Sequence, residues 1–277
     1  MTTSSTVAIE RQGPVGIVTM NRPERHNAFD DALISELTEA FRSMEAEDGI
    51  RIVVLSGAGK SFSAGADLNW MKRMAGFSID ENRRDAMGLA ALMRTIAHLR
   101  KPTVARVQGA ALGGGVGLVA CCDIAVATHD AAFALSEVKL GLIPAVISPY
   151  VVAAIGERAA RRYFLTGERF SAADAWRLGL VHEIAGTEPE MDDLIGAIVD
   201  AMLAASPAAQ KEAKDLVRAV SNRPLTSEVV QDTADRIARI RSSPEGREGV
   251  AAFLEKRRAS WIPKDPEPEI PPEAPGG

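Results

Sequence analysis

Three consecutive glycines, Gly113-Gly114-Gly115, sit in the stretch Gly109-Ala110-Ala111-Leu112-Gly113-Gly114-Gly115-Val116-Gly117-Leu118 and constrain this chain more than any other feature. Glycine loses the most backbone freedom on folding, so a run of it is kept where the backbone itself must approach something closely. The apolar run Thr103–Val107 precedes the stretch and reads as a strand; Ile124–Ala127 follows it and reads as another. Between them the chain turns and opens a small-residue helix that ends at Cys121-Cys122-Asp123. N–H groups at a helix start have no partner within the helix and lie at the positive end of its dipole. Such a terminus suits an anion, or an oxygen that gains charge during a reaction. By itself the stretch is equally compatible with a tight, well-packed turn that holds no ligand.

A second stretch has the same order. Ile52–Leu55 reads as a buried strand, Ser56–Leu68 as a glycine-rich loop, and the residues from Asn69 to Met74 as a helix. If the two strands are neighbours, both loops open at one sheet edge, and two backbone N–H groups, near Ala66 and Gly114, converge on one oxygen. Lys60-Ser61 lacks the glycine spacing of a phosphate loop. Val7–Arg11 and Val15–Met20 flank Gly13-Pro14 as a hairpin. Asp30 or Asp31 caps a helix that carries Leu33, Leu37 and Phe41. Ala75–Ile79 is a connection to a helix over Asn82–Leu99, which stops ahead of Pro102. Farther on, Glu137 stands among Leu135, Val138 and Leu140, either as an exposed strand residue or as a desolvated acid with a raised pKa. Ser148–Ile155 and Glu157–Leu165 read as helices parted by Gly156, and Ser171 caps another that Gly179 ends.

Composition narrows the class. A chain of 277 residues, 46% hydrophobic, buries a large core, and a net charge of −5 argues against a general nucleic-acid surface. Two adjacent cysteines and four histidines, without clustered spacing, predict no metal site and no disulfide framework. No apolar run reaches membrane-spanning length, and the polar start is unlike a signal peptide, so the expectation is a soluble cytoplasmic protein with no membrane partner. The expected organisation is an α/β core over 1–189, a helical region over 190–262 and a disordered proline-rich tail over 263–277. Helical segments are expected near 190–204, 206–220, 226–241 and 244–259.

These stretches together resemble the enoyl-CoA hydratase/isomerase (crotonase) family. The resemblance spans roughly Val7 to Trp261. It rests on Asn21-Arg22-Pro23, on Ser63–Leu68, on Gly109–Asp123, on Ser136–Pro144 and on Phe253–Arg257. It implies a crotonase-like α/β spiral of repeated strand-strand-helix units with a helical C-terminal region. It also implies a homotrimer, or a hexamer built as a dimer of trimers, whose contacts the helical region makes. The substrate implied is an acyl-CoA thioester, with no further cofactor.

Carried over residue by residue, the two oxyanion-hole N–H groups fall on Ala66 and Gly114. Ala64, Asp67 and Leu68 fall at the adenine. Arg25, His26 and Ala28 fall beside the pantetheine and phosphates, Gly117 near the acyl group, Phe253 and Lys256 at the nucleotide end, and Pro144 among the substrate-binding residues. Hydratases of the family commonly hold the added water between two glutamates. The second falls on Glu137; the first falls on Gly117, which has no side chain and is expected to leave room for the acyl group. The expectation is a hydro-lyase that adds water across the 2,3 double bond with Glu137 as acid and base. The look is closest to members acting on branched, carboxylated thioesters such as 3-methylglutaconyl-CoA, in leucine breakdown. A double-bond isomerase and a catalytically silent acyl-CoA binder are the alternatives.

Overall fold

The computed structural model describes residues 5–262, so the tail expected from Pro263 onward lies outside the described residues. Val7–Gln12 (β1) and Val15–Met20 (β2) form the hairpin, in register from Val7 opposite Met20 to Gln12 opposite Val15. Helix α1 (Asp31–Ala46) starts at Asp30, whose carboxylate accepts the Leu33 N–H at 2.9 Å. Leu33, Leu37 and Phe41 lie on its buried face, as their spacing requires. Strand β3 (Ile52–Gly57) is buried throughout, as befits a strand covered on both faces. Helices α2 (Leu68–Met74) and α3 (Ile79–Ala97) follow. The latter begins three residues ahead of the expected Asn82, because Ser78 and Glu81 form a capping box that satisfies its first N–H groups.

Then come β4 (Thr103–Val107), β5 (Ala110–Leu112), α4 (Gly114–Cys121), β6 (Ile124–Thr128) and β7 (Ala132–Ala134). A single 3-10 turn over Glu137–Leu140 leads to α5 (Ser148–Thr166), kinked at Gly156 as expected. Strand β8 (Arg169–Ser171), α6 (Ala172–Leu178), β9 (Glu183–Ala185) and α7 (Glu188–Ala204) complete this part. The larger sheet runs β1-β2-β3-β4-β6-β9, parallel from β2 onward; the smaller runs β5-β7-β8. Strands β4 and β6 pair in parallel, and so do β5 and β7, which immediately follow them in the chain. Successive turns of strand, short strand and helix therefore stack on one another as a spiral.

The chain packs as two units, the first ending at Asp200 and the second beginning at Ala201. The second contains α8 (Pro207–Val220), α9 (Ser227–Ser242) and α10 (Pro244–Leu254). Ser206, Thr226 and Ser243 cap these helices, two of which begin with proline at their first position. The last helix stops at Leu254, short of the expected Ala259, and Lys256 just beyond it takes a left-handed conformation. Among the described residues, no helix is long and apolar enough to cross a membrane.

Candidate active site

Strands β3 and β4 are neighbours, so the two glycine-rich loops do leave the same sheet edge. Beyond that edge the loops pair. Ser63 and Ala111 form a parallel bridge, with the Ser63 N–H donating to Ala110 O and the Leu112 N–H to Ser63 O, both at 2.9 Å. Ala66 and Gly114 each lie three residues beyond their member of this bridge. Each also follows a glycine in the left-handed region, Gly65 at φ 87° and Gly113 at φ 51°. That conformation is nearly free for glycine and costly for other residues. It redirects the next peptide, whose N–H is the donor in question.

Both donors are unspent. Around Ala66, the Phe29 N–H donates to Gly65 O and the Asp67 N–H to Phe29 O, each at 2.7 Å, while the Ala66 N–H has no partner among the described residues. Gly114 is the first residue of α4, ahead of the first intrahelical bond, Gly117 N–H to Gly113 O, so its N–H has no helical partner either. The Phe29 ring, 1% exposed, lies under Gly114, where an added Cβ would fall 3.1 Å from ring carbon Cε2.

Glu137 opens the 3-10 turn that follows β7, and its Oε1 sits 3.1 Å from where a Cβ on Gly113 would be. The acid therefore stands beside the residue that precedes the Gly114 donor. Its Oε2 is buried, with no hydrogen-bond partner among the described residues. Burial raises the Glu137 pKa above the ordinary carboxylate range, and a backbone hydrogen bond offsets this only in part. The desolvated-acid reading of Glu137 thus holds, though the sequence neighbours credited with it do so only in part. Leu135 is buried, but Val138 and Leu140 face solvent.

The loop over Asn21–Ala28 braces the Ala66 side. Arg22, 10% exposed at its side chain, reaches Asp30 at 2.8 Å, Asp67 at 3.2 Å and Ala28 O at 2.9 Å. Arg25 reaches Asp67 at 2.8 Å. Asp67 also caps α2 through the Asn69 and Trp70 N–H groups. Burial pushes the Asp67 carboxyl up, but the Arg25 hydrogen bond and those N–H groups outweigh it and leave the pKa lowered. Asn27 is wholly buried with φ 52°; its side chain accepts the Arg22 N–H and donates to Ala58 O and Ser61 O. His26 accepts the Ala64 N–H at its carbonyl, 2.8 Å away. Sequence reasoning singled out Arg25, His26, Ala28, Ala64, Asp67 and Leu68, and the structure gathers them into this loop pair. It missed Arg22 and Asn27, whose signal was the Asn21-Arg22-Pro23 motif followed by a second asparagine. Both the N–H and the carbonyl of Asp67 are spent on Phe29 and Met71.

One expectation needs correction. Gly117 does not leave open space for an acyl group. A Cβ there would fall 2.3 Å from Ile147 Cγ2, 2.8 Å from Ile147 Cβ and 3.2 Å from Met93 Cε. Ile147, 2% exposed at the start of α5, fills the place that a Gly117 side chain would need. Gly117→Ala is therefore expected to destabilise the fold by about 1–3 kcal/mol through overpacking. Ile147→Ala in the same chain should cost less than the two single changes added together, as read from urea midpoints. Strict additivity would mean the two side chains do not compete for that space. Pro144 is buried on the segment between Glu137 and Ile147. Phe253 and Lys256 belong to the second unit, where Phe253 is exposed at the end of α10.

With this geometry in hand, the comparisons with known proteins agree. The model of the enoyl-CoA hydratase/isomerase family matches residues 10–264. The crystal structure of an enoyl-CoA hydratase from Shewanella pealeana superposes with a TM-score of 0.90 at 44% identity, covering 92% of this chain and 96% of that one. An enoyl-CoA hydratase from Mycobacterium smegmatis gives 0.86 at 35% identity, covering 93% and 99%. A crotonyl-CoA hydratase of Syntrophomonas wolfei is 28% identical over 263 residues, 93% of this chain and 98% of that protein. The match runs through both glycine-rich loops, the Glu137 segment and the C-terminal helices, and this chain belongs to the enoyl-CoA hydratase/isomerase family.

Proposed function

We propose that this chain adds water across the 2,3 double bond of an enoyl-CoA thioester. The observation that carries the reading is a desolvated Glu137 carboxyl beside Gly113, its Oε2 without a hydrogen-bond partner among the described residues, next to two unspent N–H donors brought level by the Ser63–Ala111 pairing. The thioester oxygen accepts from the Ala66 and Gly114 N–H groups. Water attacks the β-carbon while the Glu137 carboxylate takes its proton. The electron pair of the double bond moves toward the thioester, and the two donors hold the resulting enolate oxygen. The Glu137 carboxylic acid then returns the proton to the α-carbon. One proton leaves Glu137 for each one it takes, so the cycle balances without a second carboxylate, and both additions occur on one face.

The remaining site residues are proposed from the family pattern. Ala64, Asp67 and Leu68 border the adenine; Arg25, His26 and Ala28 border the pantetheine and phosphates. Phe253 and Lys256 meet the nucleotide end, supplied by a neighbouring subunit of a trimer or hexamer. A cleft of about 440 Å³ on that side is lined by Arg22, Arg25 and Arg73 but also by Glu24, Asp30 and Asp67, so its charges are balanced within the protein. The CoA thioester is itself the substrate, and no cofactor enters this scheme. The finer expectation, a branched and carboxylated acyl group like 3-methylglutaconyl, rests on the resemblance. One observation favours a second reading, double-bond isomerisation: Ile147 fills the place where the side chain of a second carboxylate at position 117 would begin.

The test is to incubate crotonyl-CoA, 3-methylglutaconyl-CoA and a 3-enoyl-CoA separately and follow product mass. A gain of one water on a 2-enoyl thioester is expected. Conversion of the 3-enoyl thioester at constant mass, with no hydration, would replace the hydratase by the isomerase. Tight binding without any product would leave a silent acyl-CoA binder.

A further inference from the structure

The segment from Glu137 to Ile147 places two side chains against successive turns of α4. Glu137 lies at Gly113, and Ile147 lies at Gly117, joined to Gly113 by a helical hydrogen bond. One turn of α-helix rises about 5.4 Å. The acid and the Ile147 side chain are thus about one turn apart on the same helix, approached from the same segment. Met93 also lies against the Gly117 face, its Cε 3.2 Å from where a Cβ there would be, and Cys121 Sγ lies 3.6 Å from Met93 Sδ. All three are buried and apolar. Any acyl carbons beyond the one attacked by water that run along α4 meet this wall after about one turn.

We infer that Ile147 closes the acyl end of the site and sets how long an acyl group it accepts. The inference rests on the proposed site at Glu137, Ala66 and Gly114, and it adds a residue that determines specificity within that site. The wall is thin where it matters. Ile147 packs on a glycine, so shortening it exposes the bare backbone of α4 and leaves an apolar gap continuous with the Gly117 and Met93 surfaces. Apolar cavities of this kind stay dry and take up hydrocarbon. A butenoyl group needs none of that space, whereas six- and eight-carbon groups do.

The experiment compares wild type, Ile147→Val and Ile147→Ala. Calorimetry gives affinities for butanoyl-, hexanoyl- and octanoyl-CoA, with free CoA as the reference, and kcat/KM is measured on the matching 2-enoyl thioesters. The octanoyl-to-butanoyl affinity ratio should rise at least tenfold from wild type to Ile147→Ala, with Ile147→Val between them and free CoA unchanged. The kcat/KM ratio should move the same way. A merely structural role for Ile147 lowers all chain lengths together and leaves both ratios fixed, and that result overturns the inference. If Ile147→Ala does not fold, Ile147→Val alone decides, since it removes one methyl group and should still raise the ratio. The saturated thioesters separate this inference from the reaction assigned above. Shifted affinity ratios with no hydration by wild type would sink the hydratase and keep the wall; hydration with unshifted ratios would do the reverse.

Discussion

Glu137→Gln is expected to lower hydration of an enoyl-CoA by ~10²–10⁴ while leaving affinity for a saturated acyl-CoA nearly unchanged. The amide keeps the size and hydrogen bonding of the acid but exchanges no proton. In the proposed mechanism the carboxylate form takes the proton from water, so kcat/KM should fall as pH drops through the raised pKa of Glu137. That acid limb should be missing from the residual activity of Glu137→Gln. The same burial has a stability signature of opposite sense. The folded state holds the Glu137 proton more tightly than the unfolded chain does, so wild-type stability declines as pH rises from the unfolded pKa to the folded one. The stability of Glu137→Gln relative to wild type should accordingly grow across that window and be flat below it. Thermal melts of both proteins from pH 4 to pH 8 read this directly. A Gln variant with wild-type turnover would end the single-acid mechanism.

Gly114→Pro should reduce kcat by roughly 10²–10³, the usual loss when one oxyanion donor is deleted. Proline suits the first helical position sterically but has no N–H to give. It also brings a Cβ against the Phe29 ring, and Gly114→Ala brings the same Cβ while keeping the donor. The kcat difference between the two variants isolates the N–H. Circular dichroism must show both folded, because the left-handed Gly113 is restricted by a following proline. Equal kcat for the folded Pro and Ala variants would remove Gly114 from the site.

Most of the fold was legible because its signals are local. Asp30 and Ser171 announce helix starts, Gly156 and Gly179 mark a kink and a stop, and each lies where its own side chain or φ angle does the work. Strand β5 was not legible. It has three residues inside the glycine stretch, and what makes it a strand is its pairing with β7 and the Ser63 bridge, both distant in sequence. The candidate site divides the same way. Ala66, Gly114 and Glu137 carry motifs and could be named in advance. The filling of Gly117's face could not be, because Ile147 reaches it from thirty residues downstream and only packing shows which side chain wins a space. Nor could the ion pairs of Arg22, since the Asn21-Arg22-Pro23 motif marks the residue but not Asp30 and Asp67, which reach it from other segments.

The two unspent donors come from loops far apart in sequence that meet only through the Ser63–Ala111 bridge. Long-range parallel pairing is slow to form, because the chain between its partners must be ordered before any bond repays the loss of freedom. A chain halfway through folding would hold two glycine-rich loops with ordinary, solvated N–H groups and no hole between them. The amides of Ser63 and Leu112 therefore act as clocks for the site. Their deuterium uptake should match the slowest-exchanging core amides of β3 and β4. Newly made chains should acquire turnover at the same moment those two amides become protected, and not before.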